Sequence, residues 1–325
     1  MNTMKWLVKR EYWEHKGGFL WAPVIAACIY LAMSLLAIAV GEHVIHHSDA
    51  SGEFHMNLSQ FIHDASDPSK AGEVSQGVQL MFQMFGAMPV FVTVFVVFFY
   101  CLGCLYDERK DKSILFWKSL PISDRDTMAS KLVSAMLVAP VIGTAVAIAT
   151  NLALFVIASL IVLLVHGQNP MAIWNIPGIF NACLNMLATI PVTAMWALPT
   201  IGWLMLCSAW ARRVPFLWAT LIPIVGGIMI SITGIMGAFN IGLRWYWSNI
   251  VGRLLGGLVP GMEKIYRYHD GVHQLSIHDQ QDMSHLLSIA NTLEGFANPQ
   301  LWIGAIVGIA MIVLATRMRR WRDEG

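Results

Sequence analysis

Long apolar runs, broken by short polar stretches, set the organisation of the chain. Six runs, at residues 19–41, 78–105, 132–165, 179–209, 215–238 and 301–318, suffice to cross a hydrocarbon core of about 30 Å as helices. Pro140, near the start of the third run, predicts a tilted or broken helix there. Residues 4–16 place Met4, Leu7, Val8 and Tyr12 on one helical face and Lys5, Lys9, Glu11 and Lys16 elsewhere. With Trp6 and Trp13 as anchors, that pattern predicts an amphipathic helix in the headgroup plane. Residues 106–131 form a charged island between the second and third runs, and 42–77 and 240–299 form polar loops. Within the last loop, 245–258 is amphipathic enough for an interfacial or re-entrant helix.

Composition agrees. Of the 325 residues 56% are hydrophobic and 13% charged, against roughly 25% charged in soluble domains. The expected class is an all-α integral membrane protein, one transmembrane domain over residues 1–325. All Lys and Arg except Lys70, Arg244, Arg253, Lys264 and Arg267 lie in the amino end, the island, the Arg212–Arg213 turn or the tail. Positive segments stay inside. The expectation is six spans with both termini cytoplasmic, in the cell's inner membrane, and loops 42–77 and 240–299 outside. Ala37-x-Ala39 resembles a signal cleavage site, but the apolar run is too long for a signal peptide. No repeat relates the first three spans to the last three. The net charge of +1 gives no sign of a nucleic-acid partner.

The chain lacks a P-loop, a dinucleotide fingerprint and an H-E-x-x-H zinc motif. No enzymatic chemistry and no cofactor on this chain are expected. No Asp, Glu, Lys or Arg falls near the middle of a span, which argues against an ion-coupled carrier. An energy source would then lie on another chain. Cys28, Cys101, Cys104, Cys183 and Cys207 all lie in or beside apolar runs, so no disulfide framework is indicated. Cys101 and Cys104 read as a buried structural pair. His43, His46 and His47, and farther on His269, His273 and His278 with Asp270 and Asp279, are weak metal candidates against the plainer reading of a wet polar loop. Asn181, Asn185 and Thr189 share one face of the fourth span, where amides either bridge helices or line a polar path. The glycine-rich fifth span suits either a dimer face or packing within the chain.

The island reads YDERKDKSILFWKSLPISDRDTMASK. Ile114, Trp117 and Pro121 share a helical face, Pro121 stops the run, and Ser123 with Asp126 forms a capping box for the next helix. Such an element either anchors in headgroups or docks in a partner's groove. The stretches from Asp107 to Leu115 and from Ser119 to Ser123, set in this topology, resemble the ABC-2 type transporter permeases. The topology covers the chain; the motif covers about two dozen residues of the island.

The resemblance implies a type V exporter-like membrane fold with outer re-entrant helices before the sixth span. It implies a permease that pairs with a second permease copy or a homologue, and with two copies of an ATP-binding cassette subunit that carries ATP and Mg. Asp107, Glu108, Arg109, Ile114, Phe116, Trp117 and Leu120 would then belong to the coupling helix that contacts the ATPase. Lys5, Arg10 and Glu11 would flank the same partner. The chain departs from better-known members at Lys110-Asp111-Lys112, where a glycine-containing turn is usual, and in its long His-rich outer segment. The expected cargo of such an exporter is hydrophobic or amphipathic: a lipid, peptide or drug-like compound. The alternative is a membrane sensor that docks a cytosolic ATPase without moving cargo.

Overall fold

The computed structural model describes residues 3–47, 67, 69–112, 122–165, 174, 177–235, 243–269 and 288–321. Among them every regular element is helical and no strand occurs. Helix α1 (Thr3–Glu14) leads through a π turn, Gly17–Trp21, into α2 (Ala22–His47). Helix α3 (Ala71–Gly103) is followed by the short α4 (Tyr106–Lys110). Helix α5 (Asp124–Val133) runs through a second π turn, Ser134–Val138, into α6 (Ala139–Val165). Helices α7 (Pro177–Trp196) and α8 (Leu198–Trp210) form a bent rod, and α9 is Pro215–Ile235. An irregular helix follows: α10 (Leu243–Tyr246), a π turn at Trp247–Gly252, and α11 (Arg253–Gly256). Helices α12 (Met262–His269), α13 (Ile289–Leu293) and α14 (Pro299–Trp321) complete the chain.

Six of these stretches are long and apolar enough to cross a membrane, which makes the chain a helical multi-pass membrane protein. Their outward faces carry large apolar side chains, such as Phe91 and Phe95 on α3, Leu221 and Ile228 on α9, and Ile303 and Ile306 on α14. Lipid is a suitable solvent for such faces, so the interior is distinguished by small and polar residues rather than by hydrophobicity. Helices α8 and α14 pack closely along glycine. A Cβ on Gly202 would stand 2.6 Å from the Gly308 carbonyl oxygen, so only glycine permits this crossing. Between α3 and α6 the Phe82 and Phe155 rings pack at 5.1 Å, and Asn151 Nδ2 donates to the Phe82 carbonyl at 2.9 Å. On α9, Gly226 and Gly227 receive the rings of Tyr246 and Trp247, so these two glycines serve packing within the chain.

The element boundaries depart from the sequence pattern in four places, the first being the second span, already helical from Ala71, before its apolar run begins. The fourth span is not one helix, because the rod bends at Ala197 beside Pro199, which has no N–H to continue the ladder. The first span continues as helix through His47, so His43, His46 and His47 belong to its end rather than to a loop; their side chains lie outside the described residues. The third span starts as helix at Asp124, before the apolar run begins. Ser123 caps it as expected, its Oγ accepting from the Asp126 N–H at 3.1 Å.

Two segments share a sequence and a shape. Leu20-Trp21-Ala22-Pro23-Val24-Ile25 and Leu137-Val138-Ala139-Pro140-Val141-Ile142 both read L-x-A-P-V-I. In each the alanine N–H closes a π turn, Ala22 onto the Gly17 carbonyl and Ala139 onto the Ser134 carbonyl. The extra residue in the turn accommodates the proline ring, which clashes with a regular α ladder. Thus α1–α2 and α5–α6 are two copies of one unit: helix, π turn, proline, span. The copies pack together, α1 against α5 and the first π turn against α6. The repeat relates the first span to the third, not one half of the chain to the other.

Candidate functional site

The four basic segments converge on one end of the bundle, and buried ion pairs hold them there. Glu11 on α1 is 0% exposed and Lys131 on α5 is 3% exposed. Glu11 Oε1 accepts from Lys131 Nζ at 3.1 Å and from Arg10 Nη2 at 2.5 Å, and Oε2 accepts from the Tyr100 hydroxyl at 2.9 Å. Lys131 Nζ also meets Glu108 Oε1 on α4 at 2.9 Å. The other oxygen of Glu108 lies 3.1 Å from Arg319 Nη2, on the last helix, as an ion pair without aligned hydrogen-bond geometry. Arg319 Nε stands 3.8 Å from Asp124 Oδ1 at the start of α5. The signs alternate along this line: Arg10, Glu11, Lys131, Glu108, Arg319, Asp124. Each buried charge therefore has a counter-charge, the condition under which burial is tolerable. Burial opposes ionisation of Glu11. The Lys131 charge, the Arg10 contacts and the Tyr100 hydroxyl outweigh it, and hold the carboxyl below its ordinary range.

Helix α4, the root of the island, is clamped from a second side. The Arg109 guanidinium donates to the carbonyls of Ser208 and Ala211 at the end of α8, where the helix dipole favours a cation. Ser208 Oγ accepts from the N–H groups of Leu105 and Tyr106 at 3.1 and 3.0 Å, satisfying donors at the start of α4. Of the island residues assigned by resemblance to a partner, Glu108 and Arg109 thus engage this chain, while Asp107 is exposed beside exposed Lys110, Asp111 and Lys112. Ile114, Phe116, Trp117 and Leu120 lie outside the described residues. Lys5 is exposed, and Arg10 and Glu11 belong to the ion-pair line. Glu11, Glu14 and His15 approach one another closely enough to share a cation, but Lys131 and Arg10 already supply positive charge to Glu11.

A cavity of about 620 Å³ lies between α3, α6, α7 and the segment from Leu258 to Lys264. Proline shapes its walls. Pro89 and Pro191 interrupt the ladders of α3 and α7, and Pro140 lines the cavity directly. Asn185 and Thr189 both line it, whereas Asn181 is exposed and does not. Asn185 also bridges helices: its Oδ1 accepts from Thr292 Oγ1 of α13 at 2.7 Å, and Thr292 Oγ1 accepts from Lys264 Nζ at 3.0 Å. Asn185 thus both borders the cavity and bridges helices, while Asn181 lies on an exposed face. Sequence reasoning missed Tyr100, Ser208, Thr292 and Arg319 as participants. The only signal for Tyr100, Ser208 and Arg319 was a hydroxyl or a charge at the end of an apolar run, and Thr292 stands within a polar loop. Cys101 and Cys104 are buried free thiols, as the apolar setting suggested.

No family model, curated protein or solved structure matches the chain.

Proposed function

We propose that the chain is the permease subunit of an ATP-driven exporter, a six-span unit with both termini cytoplasmic and an ABC-2-like membrane fold. It is not itself an enzyme. Two copies of an ATP-binding cassette subunit, carrying ATP and Mg, supply the energy, and a second permease copy completes the path in the cell's inner membrane. One observation supports this reading above the others. The root of the island is fixed by Glu108 to Lys131 and Arg319, and by Arg109 to the end of α8. A push on the island would therefore reach α1, α5, α8 and α14 together, which is what a docked motor requires of its transmission element. In this reading the exposed charges and the apolar residues Ile114, Phe116, Trp117 and Leu120 meet the ATPase, and Glu108 and Arg109 pass the motion inward.

The test is ATP-dependent flux in proteoliposomes that hold this chain and the ATPase that co-purifies with it. Asp107→Lys with Trp117→Ala should abolish flux and co-purification while leaving the thermal stability of the permease intact. Flux at full rate in vesicles without any ATPase sinks the proposal.

A further inference from the structure

One buried cation stands apart from the ion-pair line. Arg253 opens α11 and is 8% exposed. Its guanidinium lies over the buried Trp196 ring, 4.1 Å from the centroid. It also lies against α14, where a Cβ on Gly304 would overlap it. The spacing of that Cβ position from Nη2, Cζ and Nε puts Gly304 over the flat face of the group, not over the edge from which its N–H bonds project. The Arg253 carbonyl accepts from Thr200 Oγ1 at 2.6 Å, which ties this backbone to α8. The bend of the α7–α8 rod, α11 and α14 thus build a recess around one arginine. Its charge is not answered there. Nε and Nη2 are buried without a hydrogen-bond partner. Among the described residues no carboxylate pairs with the group. Trp196 Nε1 is also buried without a partner. A ring face attracts a cation but accepts none of its in-plane N–H bonds. Burial of a charge without a counter-charge is costly, and a cation held beside membrane spans marks a site by default. Gly304 stands near the start of α14, about 22 Å of helix from Arg319. The recess therefore lies toward the membrane surface opposite the ion-pair line.

We propose that Arg253 is the binding residue of a site for a phosphate group, held by two parallel bonds from Nε and Nη2 in the recess formed with Trp196 and Gly304. The planar fork of arginine matches an oxyanion in this way and keeps its charge when buried. A membrane surface presents such groups in lipid headgroups, and the water beside it presents them free. The site needs no ATPase, so it stands or falls separately from the transport reading.

The test uses the full-length protein in a phosphate-free non-ionic detergent. Its thermal unfolding midpoint is followed against inorganic phosphate and, separately, against dihexanoyl phosphatidate. A ligand of the folded state raises the midpoint with the logarithm of its concentration once above Kd, and at least one probe should do so. Arg253→Gln should raise the concentration needed for the same shift about tenfold or more, the worth of a hydrogen bond to a charged group. Arg253→Lys keeps the charge without the fork and should keep only part of the response. A general salting effect acts on every variant alike. An equal response in Arg253→Gln therefore overturns the proposal, as does the absence of a shift with both probes. Should Arg253→Gln fail to fold, a response of Arg253→Lys equal to that of the unaltered protein overturns it instead. A shift at lower concentration with phosphatidate than with inorganic phosphate assigns the site to a lipid headgroup, and the converse assigns it to free phosphate.

Discussion

Glu11 and Lys131, 120 residues apart in sequence, meet at 3.1 Å in the interior of the protein. One lies on the amino-terminal helix and the other just before the third span, so the pair joins the two copies of the repeated unit. Removing Lys131 leaves two buried carboxylates facing one vacated site, Glu11 with Arg10 and Glu108 with Arg319 as remaining cations, so the cost falls below the about 3–5 kcal/mol of a buried charge left with no counter-charge. Lys131→Met should still lower the thermal stability of the detergent-solubilised protein. Glu11→Leu with Lys131→Met should recover more than half of that loss, because Glu108 keeps Arg319 as a partner. A double variant no more stable than the single one removes the pair from this account.

The same carboxylate sets an acid sensitivity. Glu11 titrates below its ordinary value of 4.5 in the folded protein. A depressed folded value means that the charged form is the one favoured by folding, so the contribution is fully present above the unfolded value. It drains away as the pH falls from about 4.5 through the lower folded value. Unfolding midpoints measured downward from neutral pH should fall over that interval, and Glu11→Gln should remove this part of the fall. A profile unchanged by the substitution assigns the acid sensitivity to other groups.

Arg109→Ala should loosen α4 without unfolding the spans. The substitution removes the donor that satisfies the Ser208 and Ala211 carbonyls, at about 1–3 kcal/mol for groups left without a partner. Hydrogen exchange should quicken at residues 105–110 and at the end of α8, and stay unchanged in α6 and α14. Ser208→Ala, which removes the acceptor of Leu105 and Tyr106, should give the same pattern. Exchange that quickens throughout the bundle instead makes Arg109 a general stability element.

The spans were legible because a membrane helix needs an uninterrupted apolar run, and Ser123 was legible because a cap is a local device. Glu11 was not. It lies one turn from Leu7, the buried residue of its helix, and so on the packed face, but a charge reads as solvated until its counter-charge is known, and Lys131 is far away in sequence. The island read as one block of charge. In the structure it divides by direction, Glu108 and Arg109 turning inward while Asp107, Lys110, Asp111 and Lys112 face out. Short helices fix such directions only through what they pack on, here Ser208 and Arg319. The cavity could not be read from the chain, since its polar end is assembled from α7, α12 and α13.

The paired π turns make the sharpest prediction about how the two units are held. A π turn is one residue more than a regular helix requires. Removing Leu137 from Ser134–Val138 should restore regular helix with α5 and α6 still in register, because the turn winds five residues into about the arc of four. The cost is the Pro140 ring, which then meets the regular ladder, so the deletion should lower stability and Pro140→Ala should recover part of the loss. An alanine added after Leu137 has no second turn to absorb it and should rotate α5 against α6 by about 100°, one residue of helical twist. Lys131 would then face away from Glu11, and the ion-pair line would break although every charged residue is still present. In a background without the native cysteines, Glu11→Cys and Lys131→Cys should be joined by a short bifunctional thiol reagent in the full-length chain and after the deletion, and not after the insertion. Crosslinking that survives the insertion means that the register of α1 and α5 is set by their own packing, and the π turns only accommodate proline.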